Sequence, residues 1–169
     1  RGPLAPVGGE FAWGTAEVID ANTVLLDGTD QETVAEFGTG QTGLASHGYD
    51  GPRGGLRCGF AAGPMTNRIE AGASYYGIME MSGNLWEICV VASPLGVDFR
   101  GENGDGVLDD SGNGAWRSSS QGSGGGYRGG AWNSGIIPGF RDLAVSDRFY
   151  TGLNPDQRRE TSGGRGVRR

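Results

Sequence analysis

Apolar positions in this chain come in short bursts separated by glycine-rich polar stretches. Nowhere do they hold the 3.6-residue period of an amphipathic helix for more than a turn or two. Weak alternation over residues 16–27 predicts one or two short strands around Val18-Ile19 and Val24-Leu25-Leu26. Residues 28–67 are turn-rich, punctuated by Asp50-Gly51-Pro52 and Arg53-Gly54-Gly55. The most apolar block, residues 74–91, predicts a strand, a tight Ser82-Gly83-Asn84 turn and a second strand. In that second strand Trp86, Ile88 and Val90 alternate with Leu85, Glu87 and Cys89. Both sets are mostly apolar, the pattern of a strand buried on its two faces. A long polar excursion over 98–126 follows, a length that in a compact domain marks a functional or mobile segment. Three more strands are predicted at 127–132, 142–148 and 166–168, and Phe11-Ala12-Trp13 reads as an aromatic anchor ahead of the first strand. With no internal repeat and no boundary signal, residues 1–169 form a single domain.

Composition narrows the class. Glycine supplies 35 of 169 residues without a three-residue period, which excludes collagen and a plain linker. Hydrophobic residues at 36%, with four tryptophans, suffice for a core, so the glycines are read as turn residues of a loop-dominated globular domain. Every basic residue is arginine. Without lysine there is no Schiff-base chemistry, no pyridoxal-phosphate anchor and no P-loop. The single histidine, His47, excludes sites within the chain that need two or three imidazoles. A net charge of −6 argues against nucleic acid as partner and suits a divalent cation. Cys58 and Cys89 form no CxxC pair; a disulfide and two separate thiols are both open. The longest aliphatic run, about five residues near 88–92, is too short to span a bilayer. No signal peptide is recognised, and a first residue of Arg1 rather than Met implies an upstream segment removed or left out.

Ser82-Gly83-Asn84-Leu85-Trp86-Glu87 is the stretch with most chemistry in it. A sharp turn aims several carbonyl oxygens inward, and a carboxylate on the next strand completes an oxygen cage for a hard cation. Read from the residues alone, Glu87 as a buried acid paired with an arginine is the better account. The acidic run Glu102–Asp110 has partial EF-hand spacing, but Gly101 and Gly112 stand where the first and last carboxylates belong. It is read as an Asx-turn-rich surface loop. His47 is read as a loop residue; a Ser–His–Asp triad is the sharper alternative. Arg158, Arg159, Arg165, Arg168 and Arg169 are expected to pair with Asp142, Asp147 or Glu87 rather than with phosphate. Gly124-x-Gly126-x-x-Gly129 fits a dinucleotide fingerprint by chance composition alone.

Three blocks in order, Gly83-Asn84-Leu85-Trp86-Glu87, Arg128-Gly129-Gly130-Ala131-Trp132 and Gly163-Gly164-Arg165-Gly166-Val167-Arg168, resemble the formylglycine-generating enzyme (sulfatase-modifying factor) family. Phe11-Ala12-Trp13-Gly14 resembles that family's Tyr-Pro-Trp-Gly block, and Gly166 stands where its terminal strand usually has phenylalanine. The resemblance implies an α+β, C-type-lectin-like fold with short strands, long loops and few helices. It implies a structural calcium held by the carbonyls of Ser82, Gly83 and Leu85 and the carboxylate of Glu87. Catalytic members carry two copper(I)-binding cysteines after the arginine–glycine motif; Ser134 and Gly139 stand there in this chain, and neither offers a soft ligand. His47 alone cannot supply the iron site of the related ergothioneine sulfoxide synthase. The family domain normally has a comparable stretch before Phe11, so the chain corresponds to its C-terminal half to two-thirds. The expectation is a non-catalytic, calcium-stabilised structural or binding module, extracellular or at a bacterial cell surface. It would meet a protein or glycan ligand or self-assemble, chiefly through 98–126 and 133–162. Two rivals are an oxidoreductase whose metal site lies partly in the absent N-terminal portion, and a lectin-like display protein.

Overall fold

The computed structural model describes residues 5, 7–37, 40, 42–48, 51–90, 118–119, 122–123, 125–137, 140–148 and 160–163. These residues form short strands and long connecting turns, with no helix among them. β1 (Val18–Asp20) pairs in parallel with β4 (Gly43–Ala45), and β2 (Val24–Leu25) pairs antiparallel with β3 (Thr33–Val34). β5 (Trp86–Val90) is the middle of a three-stranded sheet. After β6 (Ser118–Ser119) and β7 (Gly122–Ser123), which pair with each other, β8 (Gly125–Arg128) joins β5 antiparallel and sets Glu87 opposite Arg128. β9 (Ile136–Ile137) and β10 (Phe140–Arg141) form a further antiparallel pair. β11 (Ser162–Gly163) lies parallel to β5 on its other edge, Ser162 opposite Trp86. The protein is strand- and loop-rich. No described helix is long and apolar enough to cross a membrane.

The core is built around the expected aromatic anchor. Phe11 and Trp13 are fully buried with Ala45 and Leu143, their rings 5.2 Å apart. Burying two side chains of this size contributes roughly 2–3 kcal/mol each before entropy is counted. The Trp13 indole N–H donates to Thr15 Oγ1 and to the Glu17 carbonyl, both at 3.0 Å, so its polar edge is satisfied. A second cluster gathers Ala21, Val34, Leu44, Leu56, Phe60 and Ala61, and a third joins Trp86, Tyr127 and Ala131.

Several expectations from the pattern are corrected. Residues 74–81 are not a strand: Ser74 N–H donates to Ile78 O (2.8 Å) and Gly77 N–H to Ser74 O (2.9 Å), closing a turn that leaves Tyr76 exposed. β5 is not buried on both faces. Trp86 is buried, whereas Ile88 on the same face is 38% exposed. β8 ends at Arg128, short of Trp132, as Gly129 and Gly130 enter the left-handed region. Residues 142–148 form turns rather than a strand, since Val145 N–H bonds to Glu10 O and Asp147 N–H to Ala144 O. The last part of the polar excursion holds β6, β7 and the start of β8, while residues 98–117 and 166–168 lie outside the described residues.

Candidate functional site

Residues 82–86 work as a junction. Ser82 is buried; its hydroxyl accepts from Ala12 N–H (3.1 Å) and donates to Leu143 O (2.8 Å). Gly83 N–H donates to Gly129 O (2.7 Å), and Asn84 N–H to Ser46 O (2.8 Å). The Asn84 side chain clasps the backbone of one residue, accepting from Leu56 N–H at 2.7 Å and donating to Leu56 O at 3.0 Å. Its carbonyl accepts from Trp132 N–H (2.8 Å), and Trp86 N–H reaches Thr161 O (2.7 Å). Six separate stretches of chain therefore meet on one turn. The turn is possible because Gly83 (φ 84°) and Asn84 (φ 68°) both sit in the left-handed region, which glycine and asparagine tolerate best. A side chain at Gly83 would also strike the Ser46 carbonyl, 2.6 Å from where its Cβ would stand.

Glu87 follows on β5, half-buried, with its carboxylate lying over Gly129. A β-carbon at Gly129 would fall 2.2 Å from Glu87 Oε2 and 3.0 Å from the Met81 carbonyl oxygen, so both oxygens face the same small space. Of the sequence-predicted ligands, Ser82, Gly83, Leu85 and Glu87 thus share one turn and strand. The carbonyl oxygen that stands nearest the Glu87 carboxylate around Gly129 is that of Met81, a residue the sequence reading did not single out. The Leu85 side chain packs against Gly55 and Gly163. One carboxylate with main-chain carbonyls is hard-oxygen chemistry, and it fits calcium rather than a soft metal. Among the described residues no three His, Cys, Asp or Glu side chains gather, so a cation here would draw mainly on main-chain oxygens.

The positions matched to the catalytic thiols are of another kind. Ser134 is buried, and its hydroxyl accepts from Ala131 N–H at 2.9 Å while its carbonyl accepts from Gly48 N–H at 3.0 Å. It also bonds Asp142, whose carboxyl is pushed up by burial and by Asp147. Gly139 lies outside the described residues. Cys58 is exposed and Cys89 half-buried, both as free thiols. Burial, then Glu87, raises the Cys89 pKa, which suppresses its thiolate.

His47 lies in the loop after β4, as the sequence reading has it, and is buried there. Asp20 Oδ1 accepts from its backbone N–H (3.2 Å), yet neither ring nitrogen has a hydrogen-bond partner among the described residues. The imidazole therefore makes neither bond that a Ser–His–Asp relay needs. Burial lowers the His47 pKa and raises that of Asp20, and the two charges act on each other in the opposite sense.

Other carboxylates hold loops rather than a site. Glu32 accepts from Arg57 N–H (2.6 Å) and Gly28 N–H (3.1 Å), and Glu80 from Gly59 N–H (3.0 Å). The acidic run at 102–110 and the tail arginines lie outside the described residues, and the segment matching the chance dinucleotide fingerprint runs through β8.

Beside Glu87 opens a cleft of about 240 Å³ between Ala12, Met81, Cys89, Arg128 and Val145. Compared with protein-family models, curated proteins and solved structures, the chain matches none.

Proposed function

We propose that this chain is a non-catalytic structural or binding module of the formylglycine-generating-enzyme type, with a C-type-lectin-like fold of the α+β class, held together by calcium and working outside the cytoplasm. The observation that carries the proposal is the convergence of Glu87 Oε2 and the Met81 carbonyl over Gly129, next to the turn of residues 82–85. Calcium there would be held by Glu87 and main-chain carbonyls, those of Ser82, Gly83 and Leu85 being the set the resemblance implies. Its contribution is to fold stability: it would fix a turn on which six stretches of chain already meet. The non-catalytic part is supported by Ser134, whose hydroxyl is engaged in holding Ala131 and Asp142. Binding would fall to a protein or glycan ligand, or to further copies of the chain in a surface assembly. Titration of metal-stripped protein with calcium tests the site. The expected result is one saturable site per chain that weakens at least tenfold in Glu87→Gln; equal affinity in that variant removes Glu87 from the site.

A further inference from the structure

A second cleft, of about 220 Å³, has Val7, Glu10, Ala12, Trp13, Arg68 and Tyr75 in its lining. Arg68 is held in place there: its Nη1 donates to the Trp13 carbonyl and to the Ala73 carbonyl, both at 3.0 Å. Those bonds use the two N–H groups of Nη1, so Nη2 and Nε keep their donors for another acceptor. Ala73 N–H donates back to the Arg68 carbonyl (2.9 Å), and Ser74 Oγ accepts from Ile78 N–H (3.1 Å), which fixes the turn carrying Tyr75 without help from a ligand. Tyr75 is 43% exposed and meets Tyr76, 78% exposed, edge to face at 5.1 Å. Aromatic surface is thus left in solvent at the cleft, on a turn already pinned. Glu10 brings a buried carboxylate to the same lining, where its Oε2 accepts from Val7 N–H (3.2 Å). With one charge of each sign, the cleft favours neither a bare anion nor a bare cation. A neutral pyranose fits what remains. Its axial C–H groups suit the negative face of an aromatic ring, its hydroxyls accept from a guanidinium, and its apolar flank suits Val7 and Ala12. The volume lies below that of a drug-sized pocket, which suits one sugar ring rather than a whole oligosaccharide.

We propose that this cleft binds one neutral pyranose ring of a glycan, stacked on Tyr75 with a hydroxyl accepting from Arg68. The proposal selects the glycan among the partners of the binding role above and rests on that reading, but it uses none of the oxygens assigned to calcium. Cellobiose, a neutral pair of β-linked glucose rings, and cyclohexanol, a ring with a single hydroxyl, are the probes. Each is titrated into the whole chain and followed by ligand-observed NMR, with calcium and with EGTA. Cellobiose is expected to bind with a Kd on the order of 1 mM, the same in both media. Cyclohexanol, unable to span both the ring and the guanidinium, is expected to bind about tenfold more weakly. Tyr75→Ala should weaken cellobiose by roughly fivefold to tenfold, whereas Tyr75→Phe, which keeps the ring face, should bind like the parent. Tyr75 is half-exposed, so an unchanged melt shows that each variant is folded. Saturation transfer to the axial ring protons of cellobiose in the parent gives a readout that needs no variant. No cellobiose binding, equal binding of cyclohexanol, unaltered affinity in Tyr75→Ala, or binding lost in EGTA while the fold is retained overturns the proposal. A calcium response that persists then leaves the metal reading standing, and saturable binding of an acetylated tetra-alanine peptide in place of the sugar assigns the cleft to a protein partner.

Discussion

Asn84 donates, accepts and turns the backbone at one position, and no apolar or charged residue could do all three. Replacing it with alanine strands the buried N–H and C=O of Leu56, and such stranding costs on the order of 2–3 kcal/mol. Asn84→Ala is expected to lower the denaturant midpoint at unchanged m-value. Gly129→Ala should be harsher than its size suggests, since a methyl there meets Glu87 Oε2 and the backbone sits at φ 87°. Its melting temperature should drop, and a calcium response, where present in the parent, should weaken with it. His47 gives a pH signature. Its pKa is lowered in the folded state, so the stability it contributes is present above the ordinary histidine value of 6.5 and is lost as pH falls through the folded value. Being the only histidine, it is the one imidazole able to produce a titration in that window. Melts from pH 7.5 down to 5 should fall in the parent and stay flatter in His47→Gln; parallel curves would remove His47 as the cause.

At the scale of elements, the legible parts were those fixed by local pattern. Val18-Ile19 and Val24-Leu25 lie in strands, Trp86 opens β5, and Phe11 and Trp13 anchor the core, because short apolar bursts bounded by turn residues leave few alternatives. The failures share one cause, which is that long-range partners decided the outcome. Residues 142–148 alternate like a strand but are drawn into turns by Glu10, a residue more than 130 positions away. Ile88 reads as core but is exposed, while Tyr127, paired with it across the ladder, is buried. The Gly-Asn-Leu-Trp-Glu block drew attention to the turn at residues 82–87, whereas the scaffold role of the Ser82 hydroxyl, the Asn84 clasp and the nearness of Met81 to Glu87 depend on contacts that no spacing encodes. Ser82→Ala tests the element-level claim. It removes the bridge from Ala12 to Leu143 and should cost about 1–3 kcal/mol. Hydrogen exchange should quicken at Ala12 and around 143–145 together, and not at Ala12 alone.

Across the whole molecule, a chain with 35 glycines pays a large backbone entropy for its native state, and among the described residues no strand is longer than the five of β5. Three modest apolar clusters and the junction at residues 82–86 offset part of that cost. A cation bound at Glu87 would add stability in proportion to its concentration over its Kd, and would act where the separate stretches meet. The net charge of −6 favours such a partner. The most direct measurement is elemental analysis of the natively purified protein together with thermal melts in calcium and in EGTA. The account predicts about one calcium per chain, in keeping with a single oxygen-lined site, and a fall of several degrees in melting temperature on chelation. A chain that carries no calcium and melts identically in EGTA contradicts it, and stoichiometric copper or iron would contradict its non-catalytic part.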